Sequence, residues 1–380
     1  MARRNPLTAW SRLIGRNLQT LARSNMKAGV RAAKKVVRAS VKQALKAPAM
    51  APRTKAPRAA AARSPATRSA SRSTGMAVGA VGALLGAGGA RRYALYRPPG
   101  INRGERLPLL VMLHGCTQDA AGFARCSAMN RLALRERCLV LYPEQDRLSN
   151  AQGCWNWFDT RHGRAAGEAG SILRVIDQVI AQHPVDARRV VVAGLSAGAS
   201  LAALLAMQHP ARFCAVMMHS GVPPGAADST LSALRAMRSG RPTTRLAAQA
   251  RQQATMAAQV GAPWPPLLVV QGSADNVVSP GNGAAAAQLW ASAADAIAGP
   301  PRTVQRGQRY PMTVTDSRST DGRTAVTRIE IAGLGHAWSG GDGRYPFGDA
   351  DGPDASRLAW AFVLRQLRRL ERSGARRGGA

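Results

Sequence analysis

A serine stands between two glycines in AGLSAGASLAALLAMQHP, Ala193 to Pro210. The apolar run RVVVAG leads into it and a helical pattern follows, so Ser196 falls where a strand turns sharply into a helix. Such a turn suits a nucleophile. Gly194 and Gly198 leave room for a serine in strained backbone, with its hydroxyl raised above the sheet edge. The helix N-terminus adds free N–H groups and a positive dipole for an oxyanion. The competing reading makes Ser196 the cap of a Gly-rich helix start. In a chain with 38 glycines the G-x-S-x-G pattern is weak by itself, so the partners decide.

A hydroxyl becomes nucleophilic when a base takes its proton and a carboxylate orients that base. In strand–turn–helix sites the chain order is serine, acid, histidine. Of the six histidines, His336 in AGLGHAWSGG follows an expected strand in a Gly-rich loop. His162 and His183 precede the serine, His209 ends a helix, and His219 closes the strand after the elbow helix. Asp275 in VVQGSADNVV lies just past the carboxyl end of a strand, the edge where open α/β sheets gather functional groups. Asp295 reads as helical, and Asp316, Asp321 and Asp342 as hairpin or loop residues. An ordinary loop histidine and a turn aspartate are the bland alternatives. VMLHGCTQD ends another strand, and Gly115 lets the backbone turn so that the next N–H can face a reacting carbonyl. The oxyanion donors are therefore assigned to the N–H groups of Cys116 and Ala197, with His114 structural. Acyl transfer through these groups needs no metal and no organic cofactor.

Short apolar runs alternating with helical stretches must position these residues. LPLLVMLH (107–114), CLVLYP, RVVVAG, FCAVMMHSG and PPLLVVQGSAD read as buried strands. AGFARCSAMNRLALRER, SILRVIDQVIAQHP and LAALLAMQHP read as helices between them, which is the mark of a parallel sheet covered on both faces. Residues 222–264 form a helical insertion above the sheet, 309–336 a pair of strands around Thr320, Asp321 and Gly322, and ASRLAWAFVLRQLRRL the closing helix.

The charge is uneven. Lys and Arg number 53 against 20 acidic residues, net +33. Eighteen of the basic residues lie between Met1 and Thr74, and the first acid is Glu105. Leu7 to Leu45 has the spacing of a cationic amphipathic helix, suited to an anionic surface, membrane or polymer granule. An Ala, Pro, Ser and basic linker follows, too polar to bury a core. Residues 1–89 are thus expected to be a basic, largely disordered tail, 90–370 the folded domain and 371–380 a basic C-terminal tail. Gly75 to Ala90 is apolar but shorter than the roughly 20 residues a spanning helix needs, and reads as a linker or internal export-like segment. No specific nucleic-acid partner is implied. The five cysteines are odd in number; any bridge involves Cys116, Cys126 or Cys154, with Cys138 and Cys214 as buried small hydrophobes.

Eight ordered motifs, HGCTQDAAGFA, LYPEQ, CWNWF, GEAGSILRVID, RVVVAGLSAGASLA, FCAVMMHSG, GSADNVV and GLGHAWSGG, resemble the polyhydroxybutyrate (PHB) depolymerase family of esterases. That family sits in the wider α/β-hydrolase group with feruloyl and acetylxylan esterases. The resemblance covers residues 90–370 and implies an α/β-hydrolase fold and a serine esterase with Ser196, Asp275 and His336 as its triad. The implied substrate is a short-chain or poly/oligo(3-hydroxybutyrate) ester, with feruloyl or acetyl sugars, or polyanion or granule binding by the tail, as alternatives. It further implies an aromatic wall of Trp155, Trp157 and Trp338 around the acyl chain, and an extracellular location, against an intracellular, granule- or membrane-associated one. Ser339 departs from the proline expected after Trp338, and the basic tail has no place in the pattern.

Overall fold

The apolar runs become one 11-stranded sheet in the computed structural model, which describes residues 80–84, 91–240 and 244–377. Its strands are β1 (Ala80–Leu84), β2 (Arg91–Tyr96), β3 (Leu107–Leu113), β4 (Leu139–Pro143), β5 (Val185–Leu195) and β6 (Ala215–His219). They continue with β7 (Leu267–Gly272), β8 (Ala296–Ala298), β9 (Arg302–Val304), β10 (Met312–Ser319) and β11 (Thr324–Ile331). The spatial order is β1-β2-β4-β3-β5-β6-β7-β11-β10-β8, with β9 on β10. The central strands β4, β3, β5, β6, β7 and β11 are parallel, and antiparallel strands finish both edges. Every residue of β3 and of β7 is buried. Neighbours along a strand face opposite sides, so both faces of the sheet are covered.

The helices are α1 (Ala120–Ser127), α2 (Met129–Glu136), α3 (Arg164–Gln182), α4 (Ala197–Gln208), α5 (Thr230–Ser239), α6 (Thr244–Gln259), α7 (Gly281–Ala293) and α8 (Ala355–Arg377). Helix α4 is apolar all round and buried from Ala197 to Met207, which makes it a core element. The expected insertion is α5 and α6. Asn282 at the start of α7 donates its side-chain amide to the carbonyls of Ala236 and Met237 at 3.0 and 3.2 Å, fixing α5 against the start of α7.

Three local readings change. The single helix expected over 121–137 is broken at Ala128, whose φ is 52°. The break turns the Cys126 carbonyl outward to accept Asp342 N–H at 2.9 Å, which ties the helix pair to the loop after His336. Residues 80–84, expected as linker, pair antiparallel with β2 as an edge strand. Helix α8 continues to Arg377, past the expected boundary at 370. The basic segment from Leu7 to Leu45 and its linker lie outside the described residues. Among the described residues no helix is long and apolar enough to cross a membrane.

Gly198 decides how closely α4 meets β3. A Cβ there would stand 2.1 Å from the Leu113 carbonyl oxygen. Gly198→Ala should therefore cost about 1–3 kcal/mol of stability, since a packed backbone cannot retreat without strain. Urea unfolding checks this, and an unchanged midpoint would rule out the close approach.

Candidate active site

Ser196 carries φ 57° and ψ −120°, a conformation that a side chain makes strained. Such strain costs on the order of 1–3 kcal/mol and persists only where the surroundings impose it. Here β6 does so: the Ser196 N–H donates to the His219 carbonyl at 2.9 Å, and the Ser196 carbonyl accepts from Ser200 at 3.0 Å. The result is the elbow expected between strand and helix.

Asp275 lies beyond the end of β7 and His336 beyond the end of β11, two strands paired in parallel. Asp275 Oδ2 is 2.8 Å from His336 Nδ1, and the two side chains are 0% and 2% exposed. The same carboxylate accepts from the N–H groups of Val277 and Val278 at 3.0 and 2.9 Å and from Gln271 Nε2 at 3.1 Å. Burial pushes the carboxyl upward, but His336 and these donors outweigh it and hold Asp275 below its ordinary value. With Nδ1–H given to Asp275, the other ring nitrogen is left to act as acceptor. His336 and Ser196 line one small pocket with Gly115, Cys116, Leu195, Met237, Val277 and Phe347. Ser196 Oγ has no hydrogen bond among the described residues, so the hydroxyl and the ring share this space without yet being joined.

The N–H groups of Cys116 and Ala197 have no acceptor among the described residues. Ala197 is the first residue of α4, where no intrahelical acceptor exists. A Cβ on Gly115 would lie 3.6 Å from that of Ser196, so the loop after β3 passes directly over the elbow. Gln118 Oε1 folds this loop by accepting Gly115 N–H at 2.9 Å, and a Cys116–Cys154 disulfide anchors it. Cys126, Cys138 and Cys214 are free, the first two buried and Cys214 partly so.

Behind that disulfide lies a buried polar network that sequence reasoning did not resolve. Glu168 Oε2 accepts Asn156 N–H at 2.8 Å, while Oε1 accepts Asn156 Nδ2 and Gln145 Nε2 at 2.7 and 2.6 Å. Gln145 N–H donates to His114 Nε2 at 3.1 Å, so His114 is the structural residue expected. The motifs LYPEQ, CWNWF and GEAGS thus converge on one carboxylate that holds the loop carrying Cys154.

The aromatic wall is corrected. Trp155 and Trp338 are 0% exposed and Trp157 is 6%, and none of them lines the pocket. Trp155 Nε1 donates to the His114 carbonyl at 3.0 Å and Trp338 Nε1 to Ser356 Oγ at 3.2 Å. All three rings are packed inside the molecule, and the N–H groups of Trp155 and Trp338 find partners there. Apolar residues that do line the pocket beside Ser196 are Met237, Val277 and Phe347.

His219, the last residue of β6, lies beside the elbow. Its carbonyl holds Ser196, and its Nε2 accepts Ser339 N–H at 3.1 Å, with both residues 0% exposed. Proline at 339 would have no N–H to give. The departure from the family motif is therefore the residue that links the loop carrying His336 to β6, the strand whose last carbonyl holds Ser196. Burial, followed by the nearby charge of His336, pushes His219 down to about 3. Between an ordinary histidine value of about 6.5 and that lower one, the unfolded chain binds a proton that the folded chain excludes, so stability rises with pH across this window. His219→Gln keeps an acceptor but does not titrate. The stability gap between the native chain and this variant should shrink on going from pH 7 to pH 4, as read by urea unfolding; a constant gap would show that His219 is not held neutral.

Known proteins resemble this chain in sequence and in fold. Residues 91–296 match the family model described as esterase PHB depolymerase. The chain is 31% identical over 267 residues to poly(3-hydroxyalkanoate) depolymerase C of Paucimonas lemoignei, covering 68% of this chain and 59% of that protein. It is 27% identical over 237 residues to a probable acetylxylan esterase A of Aspergillus clavatus, covering 60% and 74%. An acetyl xylan esterase structure from Aspergillus awamori superposes with a TM-score of 0.55 at 20% identity, over 68% of this chain and 94% of that one, and shares the fold. The chain spans 59% and 49% of the length of two depolymerases it matches. It belongs to the esterase PHB depolymerase family.

Proposed function

We propose that this chain is a serine esterase that hydrolyses carboxylic esters through an acyl-enzyme. The observation that carries the reading is the Asp275–His336 pair, 2.8 Å apart and buried, opening onto the pocket that also holds the strained Ser196. Ser196 Oγ attacks the ester carbonyl as His336 takes its proton. The oxyanion faces the N–H groups of Cys116 and Ala197. His336 then returns the proton to the departing alcohol, and water repeats the sequence to release the acid and restore the hydroxyl.

The pocket is small and walled by Met237, Val277 and Phe347, which favours a short acyl group. The depolymerase named for poly(3-hydroxyalkanoate) supports esters of the 3-hydroxybutyrate type, as polymer or oligomer. The relatives named acetylxylan esterase favour acetyl esters of sugars as a second reading. A disulfide beside the oxyanion donors suits an oxidising, extracellular setting. The basic segment before Thr74 is the part of the chain suited to an anionic membrane or granule surface.

Purified chain should cleave p-nitrophenyl butyrate, and Ser196→Ala should lower kcat/KM on the order of 10⁴-fold or more. Retained hydrolysis in that variant would overturn the assignment. Met237→Ala opens the wall, so the octanoate-to-butyrate ratio of kcat/KM should rise about tenfold, the effect of one or two methylenes in an apolar pocket. An unchanged ratio would place the acyl chain elsewhere.

A further inference from the structure

A second cleft, of about 430 Å³, shares no lining residue with the catalytic pocket. Its size lies within the range of about 300–1,000 Å³ typical of small-molecule sites. Five guanidinium groups line it: Arg131 and Arg135 of α2, Arg306 and Arg309 between β9 and β10, and Arg357 in the first turn of α8. Asp354 is the one acid in this lining. Arg357 pairs with it at 3.3 Å, and Arg135 pairs with Glu136 at 2.8 Å. Arg309 is held by the carbonyls of Ala350 and Gly352, which fixes its position without neutralising it. The guanidinium groups of Arg131 and Arg306 have no hydrogen bond or ion pair among the described residues. Asp342 feels the charge of Arg131, but its carboxylate is bonded to Arg344. Three guanidinium groups without an ion-pair partner among the described residues, one from α2 and two from the segment between β9 and β10, thus line one cleft.

Like charges gathered in this way repel unless an anion lies between them. The guanidinium fork takes phosphate or carboxylate oxygens in pairs, and several forks around one cleft select a ligand with several such groups. We infer that this cleft binds a small anion carrying two or more phosphate or carboxylate groups. The inference does not depend on the esterase reading.

The test is titration calorimetry on the full chain at fixed salt, with tripolyphosphate in one arm and citrate in the other. Because the chain is basic overall, the control must change charge equally at exposed sites elsewhere, and Arg103 and Arg188 serve. Arg131→Glu with Arg306→Glu should weaken binding at least about tenfold, while Arg103→Glu with Arg188→Glu should leave it within about threefold. Whichever arm shows this difference identifies phosphate or carboxylate as the ligand chemistry. Equal weakening in both double variants, or no binding of either anion to the native chain, would overturn the inference. Hydrolysis of p-nitrophenyl butyrate at the native rate verifies folding of the variants, and Arg131→Gln with Arg306→Gln, which should also weaken binding, replaces the glutamates if they disturb it.

Discussion

A carboxylate closed to solvent is tolerable only when donors surround it, and Asp275 collects four: His336 Nδ1, Gln271 Nε2 and the N–H groups of Val277 and Val278. The demand for those donors shapes the site. Two come from the turn that follows β7, one from β7 itself, and the imidazole from the loop after β11, the strand beside it. Parallel pairing of these strands brings both loops to the same edge, where β5 also ends in the serine elbow. Satisfying the buried charge and orienting the His336 ring are one act.

Around that pair the molecule fixes positions by burying polar groups with their partners. Ser196 is held by the His219 carbonyl, and His219 in turn accepts from Ser339. Glu168 gathers Asn156 and Gln145 beneath the disulfide that anchors Cys116. Satisfied networks of this kind rigidify a fold, whereas a single missing partner leaves a buried group unpaired at a cost of about 1–3 kcal/mol. The proposed oxyanion donors gain nothing from internal bonding, and their free N–H groups are what a preorganised site requires.

Much of this order was legible in the residues. Continuous apolar runs such as LPLLVML told of strands buried on both faces, and they are. Ser196, Asp275 and His336 could be chosen because each follows a strand, in the order that strand-end sites use, and the fold brings all three to one edge. Other features depended on contacts between distant segments. Nothing near Cys116 distinguishes Cys154 from Cys126 as its partner. The task of His219 rests on Ser339, 120 residues away. The tryptophans of CWNWF show why residue type misleads: a large ring suits a substrate wall and a packed core equally, and only burial separates the two. The break at Ala128 has no Gly or Pro to mark it, and the Cys126 carbonyl beside it is taken by Asp342, more than 200 residues away, a contact that local sequence does not display.

The most direct check is a crystal structure of the chain after reaction with a p-nitrophenyl alkylphosphonate, a stable stand-in for the tetrahedral intermediate. Phosphorus should be bonded to Ser196 Oγ, with one phosphoryl oxygen within about 3 Å of both Cys116 N and Ala197 N and the His336 ring still on Asp275. A phosphonate attached to another residue, or one on Ser196 whose oxygen points away from both N–H groups, would show that these side chains do not form the engine of hydrolysis.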